Sequence, residues 1–273
     1  MRTYRRESRN ISLKLLTVFL SIVFLTSCAG LSKDQLNGII PPKNPNPNIT
    51  IEDVFEADHI LDDVTEIIGE ENVRAKLLEY EALLKTDNSV LNQIKLGIVY
   101  HEASLNLLKL GEKGYAVKSY TLLGDPKLLA SAPPNMMPII VSYLASARSL
   151  MGAEEGSIKH VKDAFLILDR AEEQFGEVSS TPLFLRGSIA ENLPWIFFKG
   201  GVAKTDFKTI IKRDKLNDKY ASDKIMSFVY FGLAKQVLSD SDAAKGYLHT
   251  SMQLDPDKQA AYEMADNLLA TLK

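Results

Sequence analysis

The chain has 273 residues, 45% of them hydrophobic, with 32 Lys and Arg against 35 Asp and Glu and a net charge of −3. That balance supplies apolar material for a full core and no basic excess, which excludes a nucleic-acid surface and a polybasic membrane-surface patch. The single cysteine, Cys28, excludes an intrachain disulfide framework.

The chain opens with Arg2, Arg5, Arg6 and Arg9 against one acid, Glu7. From Ile11 to Thr26 it is almost wholly apolar, with Lys14 the only charge. A basic stretch, an apolar stretch and small residues together read as a secretion signal over residues 1–27. The apolar run is shorter than the ~20 residues a membrane-spanning helix needs. It ends in Leu25-Thr26-Ser27-Cys28, which resembles the bacterial lipobox, with an aliphatic residue three before the cysteine and small residues between. The resemblance implies a diacylglyceryl group on the Cys28 sulfur, cleavage after Ser27 and an acylated amino terminus. Each buried acyl CH₂ contributes about 0.8 kcal/mol, and two or more chains make such a membrane anchor stable. The expected location is the bacterial cell envelope. Ala29, standing where an aspartate signals retention at the inner membrane, favours the outer membrane facing the periplasm over the inner membrane or the cell surface. Losing the leader removes five basic residues and one acid, so the mature chain is more acidic still.

Residues 28–49 hold Pro41, Pro42, Pro45 and Pro47 among Asn and Lys. They read as the lipidated cysteine followed by an extended polar tether that does not pack. Residues 50–273 read as a single all-helical domain. Thr50 caps a helix over 51–68 that stops at Gly69, and 72–85 follows. Asp87 or Asn88 caps a long helix to Leu110, ended by Gly111. A shorter helix covers 114–123, and Gly124-Asp-Pro126 breaks the chain. After Ala132-Pro-Pro134 an apolar helix runs to Met151. Residues 157–175 carry Ile158, Val161, Phe165, Leu168 and Phe175 on one face. Pro182 opens a helix toward Pro194, and 202–213, 221–239, 242–254 and 258–272 complete the set. About eleven helices on short loops predict an all-α array of antiparallel pairs.

Within Ile225–Lys258, Phe228, Phe231, Gly232, Ala244, Leu248, Ser251 and Pro256 stand at positions 4, 7, 8, 20, 24, 27 and 32 of a 34-residue window. The pattern resembles the tetratricopeptide repeat, in which small residues let two helices approach and bulky ones fill the groove between them. Lys235 departs from the usual aromatic and Ser251 from the usual alanine. Leu96-Gly97 with Ala116 and Tyr120, and Leu144-Ala145 with Ala164 and Leu168, fit when each helix of the pair gains one turn. Gly187 with Ala203, Phe207 and Ile210 fits with a smaller excess. The resemblance implies a stacked α-solenoid, and the alternative is an irregular helical bundle. The anchor and the general helical pattern are also similar to the periplasmic T-component family associated with tripartite ATP-independent transporters.

No nucleophile, phosphate-loop, dinucleotide or zinc motif is present, so no catalytic residue, metal or cofactor is expected. His59, His101, His160 and His249 are scattered. Residues 52–71 carry nine acids and no Lys or Arg, read as a solvated helix face or as a surface for a cation or basic partner. Lys204, Lys208 and Lys212 form a stripe on a solvated face. The stretch ENLPWIFFKGG, residues 191–201, is the most unusual, because Trp195, Phe197 and Phe198 cannot all face one side of a helix. With Tyr230, and with Tyr247 beside it if the array brings them close, these are the candidate partner-binding or ligand-binding residues. The expected function is a membrane-anchored, non-enzymatic scaffold that holds a protein partner. The alternative is delivery of an apolar small ligand to a transporter or envelope machine.

Overall fold

A computed structural model describes residues 31–40, 48–193 and 200–272. Cys28, Trp195, Phe197 and Phe198 lie outside the described residues, as do the tether prolines Pro41, Pro42, Pro45 and Pro47. Thirteen α-helices and no strand are found among the described residues. Eleven of them answer the expected helices, and two do not.

The first unexpected helix is α1 (Lys33–Ile39), inside the segment read as a tether. Ser32 and Gln35 form a capping box, and Leu31, Leu36 and Ile39 pack against the core. Ile40 is 1% exposed. The prolines that suggested an extended chain begin only at Pro41, so nothing stops residues 31–40 from coiling and burying their apolar side.

The next helix, α2 (Ile51–Leu61), starts on a capping box between Thr50 and Asp53. It stops at Leu61 rather than Ile68, and Glu66 turns into the left-handed region at φ 50°. Residues 62–69 leave the helix because their backbone finds other partners. The Ile67 N–H donates to Glu102 Oε2 at 3.0 Å, and the Gly69 N–H to Asn106 Oδ1 at 3.1 Å.

The remaining helices follow in order: α3 (Glu70–Thr86), α4 (Val90–Leu107), α5 (Tyr115–Leu123), α6 (Pro126–Ser131), α7 (Met137–Glu155), α8 (Ile158–Phe175), α9 (Thr181–Asn192), α10 (Gly200–Asp214), α11 (Asp223–Gln236), α12 (Ser241–Leu254) and α13 (Tyr262–Leu269). The second unexpected helix is α6. Asp125 accepts from the Lys127 N–H with Pro126 at the first helical position, so the residues that end α5 also start a new helix. Helix α13 begins late because the Asp255 carboxylate holds the Gln259, Ala260 and Tyr262 N–H groups in a loop.

Four hairpins dominate the packing: α4 with α5, α7 with α8, α9 with α10, and α11 with α12. They coincide with the four sequence units. Gly97 and Ala116, Ala145 and Ala164, Gly187 and Ala203, and Gly232 and Ala244 are all buried, although Gly232 faces Phe207 of the preceding hairpin rather than α12. A Cβ on Gly97 would stand 2.5 Å from Leu123. Helices α7 and α8 have 19 and 18 residues against 14 each in α11 and α12, the extra turn the spacing predicts. In the first hairpin the excess sits elsewhere. Helix α5 is only nine residues, and the added length lies in α4 and the turn from 108 to 114.

Successive hairpins join through one apolar core that reaches α11, and a smaller cluster of Ala234, Leu248 and Ala265 holds α11, α12 and α13 together. Phe207 of α10, 1% exposed, lies between Gly187 of α9 and Gly232 of α11 and fills the space both glycines leave. Helix α7 is at the centre. It is long and apolar enough to cross a membrane, yet 78% of its apolar window is buried against its neighbours.

Candidate functional site

The segment 50–69 lies as a strap across the first helices of the hairpins. The Asn135 side chain just before α7 donates to the Asp53 carbonyl at 2.9 Å. Tyr143 of α7 donates to Glu66 Oε1 at 3.1 Å. Asn106 of α4 donates to the Ile67 carbonyl at 2.9 Å. Lys224 of α11 donates to the Thr65 and Asp62 carbonyls at 2.6 and 2.9 Å.

Two cavities border the strap, and Glu66 lines both. The first, of about 440 Å³, has a mixed wall, with Asp58, His59, Asp62 and Lys224 beside Tyr143 and Phe184. The second, of about 370 Å³, lies between α4, α7, α8 and α9. Leu105, Leu150, Ile158, Val161, Leu185 and Ile189 form its apolar body, and Glu66, His101 and Ser146 line it too. Both volumes fall within the range that suits small molecules.

The polar floor is ordered. His101 is fully buried, with Nδ1 2.9 Å from Glu102 Oε1 and Nε2 2.8 Å from Ser146 Oγ. A carboxylate at Nδ1 fixes the tautomer that accepts from the serine hydroxyl. The Tyr143 ring meets the imidazole edge-on, centroids 4.8 Å apart. Serine, histidine and glutamate stand in the order of a nucleophile relay. Ser146, however, sits in the body of α7, where backbone N–H groups are committed to the helix and cannot form an oxyanion hole.

Burial pushes the Asp58 carboxyl up to about 7, reinforced by the charge of Asp62. Burial likewise pushes Glu66 up to about 8, reinforced by Glu102 and opposed by the Tyr143 hydrogen bond and the Lys224 charge. Burial and the same two glutamates hold the Tyr143 hydroxyl well above its usual value. The expectation of a solvated acidic face therefore holds for Glu52 and Glu56 but fails for Asp58 and Glu66, which the strap turns inward. Asp63 is tied to Lys95 at 2.7 Å and accepts from Tyr80. The lysine stripe, Lys204, Lys208 and Lys212, is exposed as expected. Among the described residues no group of three His, Cys, Asp or Glu side chains is placed to hold a metal ion.

Comparison with known proteins found no matching family model, no matching curated protein and no matching solved structure.

Of the residues singled out in the sequence, Tyr230 is described. It is half-buried, with its ring 6.1 Å from that of Tyr247, so α11 and α12 do bring these two together. It lines neither cavity. Leu193, the last described residue before 194–199, does line the apolar one. Glu102 and Ser146 escaped sequence reasoning, which met His101 only as a scattered histidine and Glu66 only as one of nine acids in a run. The available signal was His101-Glu102 inside α4, flanked by Ile98, Val99 and Ala103, where a buried helix has no solvated side to offer them.

Proposed function

We propose that this chain is an envelope-anchored, non-enzymatic binding protein that holds a small molecule with an apolar body between α4, α7, α8 and α9. The observation that carries this reading is the cavity of about 370 Å³ with aliphatic walls and an ordered polar floor. Ser146 lacks the backbone donors that acyl-transfer chemistry needs, which favours binding over turnover. The small residues buried in all four hairpins support kinship with tetratricopeptide repeats. Anchoring through Cys28 rests on the leader and its lipobox. A place beside an envelope transporter or similar machine follows from the same anchor.

The test is native mass spectrometry of the full chain from its own membrane fraction. A bound small molecule is expected. Ala153→Trp, at an exposed position on the cavity wall, is expected to lose it while the fold persists. A chain that carries no molecule and takes up none offered overturns the reading. Labelling with palmitate, lost in Cys28→Ala, tests the anchor.

A second reading is the protein scaffold. The half-buried Tyr230 and Tyr247 pair favours it, as an aromatic patch on α11 and α12 outside both cavities. A partner on the strap's side would have to displace residues 50–69, so the small-molecule reading ranks first. Cross-linking to a protein neighbour that Tyr230→Ala abolishes would reverse that order.

A further inference from the structure

The charges around one end of the apolar cavity narrow what it can hold. We propose that the molecule held there carries a protonated amine on its apolar body, with Glu66 as its counter-ion. This rests on the small-molecule reading and adds the chemistry of the head group.

Among the described residues no Lys or Arg lines the apolar cavity, and Glu66 is the one carboxylate that does. Glu66 Oε1 accepts from Tyr143, and Oε2 makes no hydrogen bond among the described residues. The groups packed around Glu66 are mostly acids. From α4 comes Glu102, 1% exposed, its two oxygens already occupied by His101 and the Ile67 N–H. From the strap come Asp58 and Asp62. From α7 comes the Tyr143 hydroxyl. The cation from α11 is Lys224, and its ammonium is spent on the Thr65 and Asp62 carbonyls and the Asp62 carboxylate.

An anionic head would meet Glu66 and Glu102 with hydroxyl groups and the Asn192 amide, but no lining cation among the described residues, to receive it. A neutral head would gain one hydrogen bond and leave the acidic excess in place. An ammonium has three donors and no acceptor, which matches a carboxylate oxygen together with the serine hydroxyls of the floor. Opposite charge also favours the ionised form of Glu66, which burial alone disfavours. Seating the amine at neutral pH therefore drives a proton off Glu66, and affinity rises with pH until Glu66 is fully ionised.

The experiment titrates the full chain, held in discs of zwitterionic lipid with empty discs as blank, with decylamine, decanol and decanoate. Decylamine is expected to bind about tenfold tighter than decanol, with decanoate weakest. Glu66→Gln keeps the shape and an acceptor for Tyr143, and is expected to bring decylamine down to the level of decanol. Binding heats measured in buffers of different ionisation enthalpy are expected to report proton release at pH 7. Decanol or decanoate matching decylamine, or an amine preference that survives Glu66→Gln, overturns the proposal and leaves the cavity reading standing. Failure of all three probes to bind overturns both. If the variant does not fold, proton release by the unaltered chain decides, and its absence overturns the proposal.

Discussion

The ammonium of Lys224 donates to the carbonyl of Thr65 at 2.6 Å, across 159 positions of sequence. One side chain on α11 thereby holds down the turn that follows α2, and the same ammonium reaches the Asp62 carbonyl. Hydrogen bonds from a charged group contribute about 1.5–3 kcal/mol each when partly shielded from water. Lys224→Met keeps the stem and removes the donor. It is expected to cost about 2 kcal/mol in denaturant unfolding and to speed amide exchange at residues 62–69 ahead of the rest of the chain. Exchange there unchanged from the parent would show that the strap does not depend on this latch.

The strap also makes stability depend on pH in a direction unusual for carboxylates. Asp58 rises to about 7 and Glu66 to about 8, so the folded chain binds more protons than the unfolded one between about pH 4 and 8. Stability from these groups is complete below the unfolded values and is lost as pH climbs through the folded ones. The slope from each is at most about 1.4 kcal/mol per pH unit. Asp63 works in the opposite sense. Despite some burial, its bonds to Lys95 and Tyr80 hold it below the ordinary range, and its contribution is lost in acid. Unfolding midpoints are expected to fall from pH 5 to 8, and Glu66→Gln is expected to flatten much of that fall and to raise the midpoint at pH 8. A flat profile in the parent would remove the inward placement of these acids.

Helix existence was readable because the stops are chemical. Gly111 takes φ 85° after α4 and Gly156 takes φ 70° after α7, whereas α4 is capped by the Ser89 side chain in place of the expected Asp87 or Asn88. The hairpin positions were readable because a missing Cβ at Gly97 or Gly187 is a requirement of close packing within the pair, and at Gly232 of close packing between pairs. The strap was not readable. Its backbone partners, Glu102 and Asn106, lie 35 and 37 positions away, and no local pattern reports them. The inward turn of Asp58 and Glu66 is likewise a consequence of where α2 docks, whereas periodicity alone places a run of acids in water. Ser251, a departure from the repeat pattern, has a local explanation that needs the fold. Its hydroxyl donates to the Ser227 carbonyl at 2.8 Å, and Ser227 returns a bond to the Ser251 carbonyl at 3.0 Å, so two buried serines tie α11 to α12.

Phe207 offers a direct test of how successive hairpins are joined. A Cβ on Gly232 would stand 2.5 Å from the ring, and one on Gly187 2.6 Å from it. The ring is 1% exposed and has nowhere to retreat. Alanine is the better helix former by about 1 kcal/mol, so an open site would be stabilised by the change. Overpacking of about 1–3 kcal/mol should prevail here. Gly232→Ala is expected to destabilise, and Gly232→Ala with Phe207→Leu to recover part of the loss. Independent, additive effects of the two changes would separate the residues.

The first helix supplies the remaining prediction. Arg170 of α8 donates to Asn37 Oδ1 at 2.6 Å and to the Ile40 carbonyl at 3.2 Å, while the Leu31 N–H donates to Asp163 Oδ1 at 2.7 Å. Asp163 is fully buried and also accepts from Arg148. With Ile40 closing the core, residues 31–40 behave as part of the helical domain. Ile40→Ala is expected to cost about 2–4 kcal/mol, as for other fully buried aliphatic truncations. Arg170→Met is expected to cost less and to raise the protease sensitivity of the segment around residues 37–40. If Ile40→Ala unfolds at the parent's denaturant midpoint, residues 31–40 contribute nothing to the core and the segment is a tether after all.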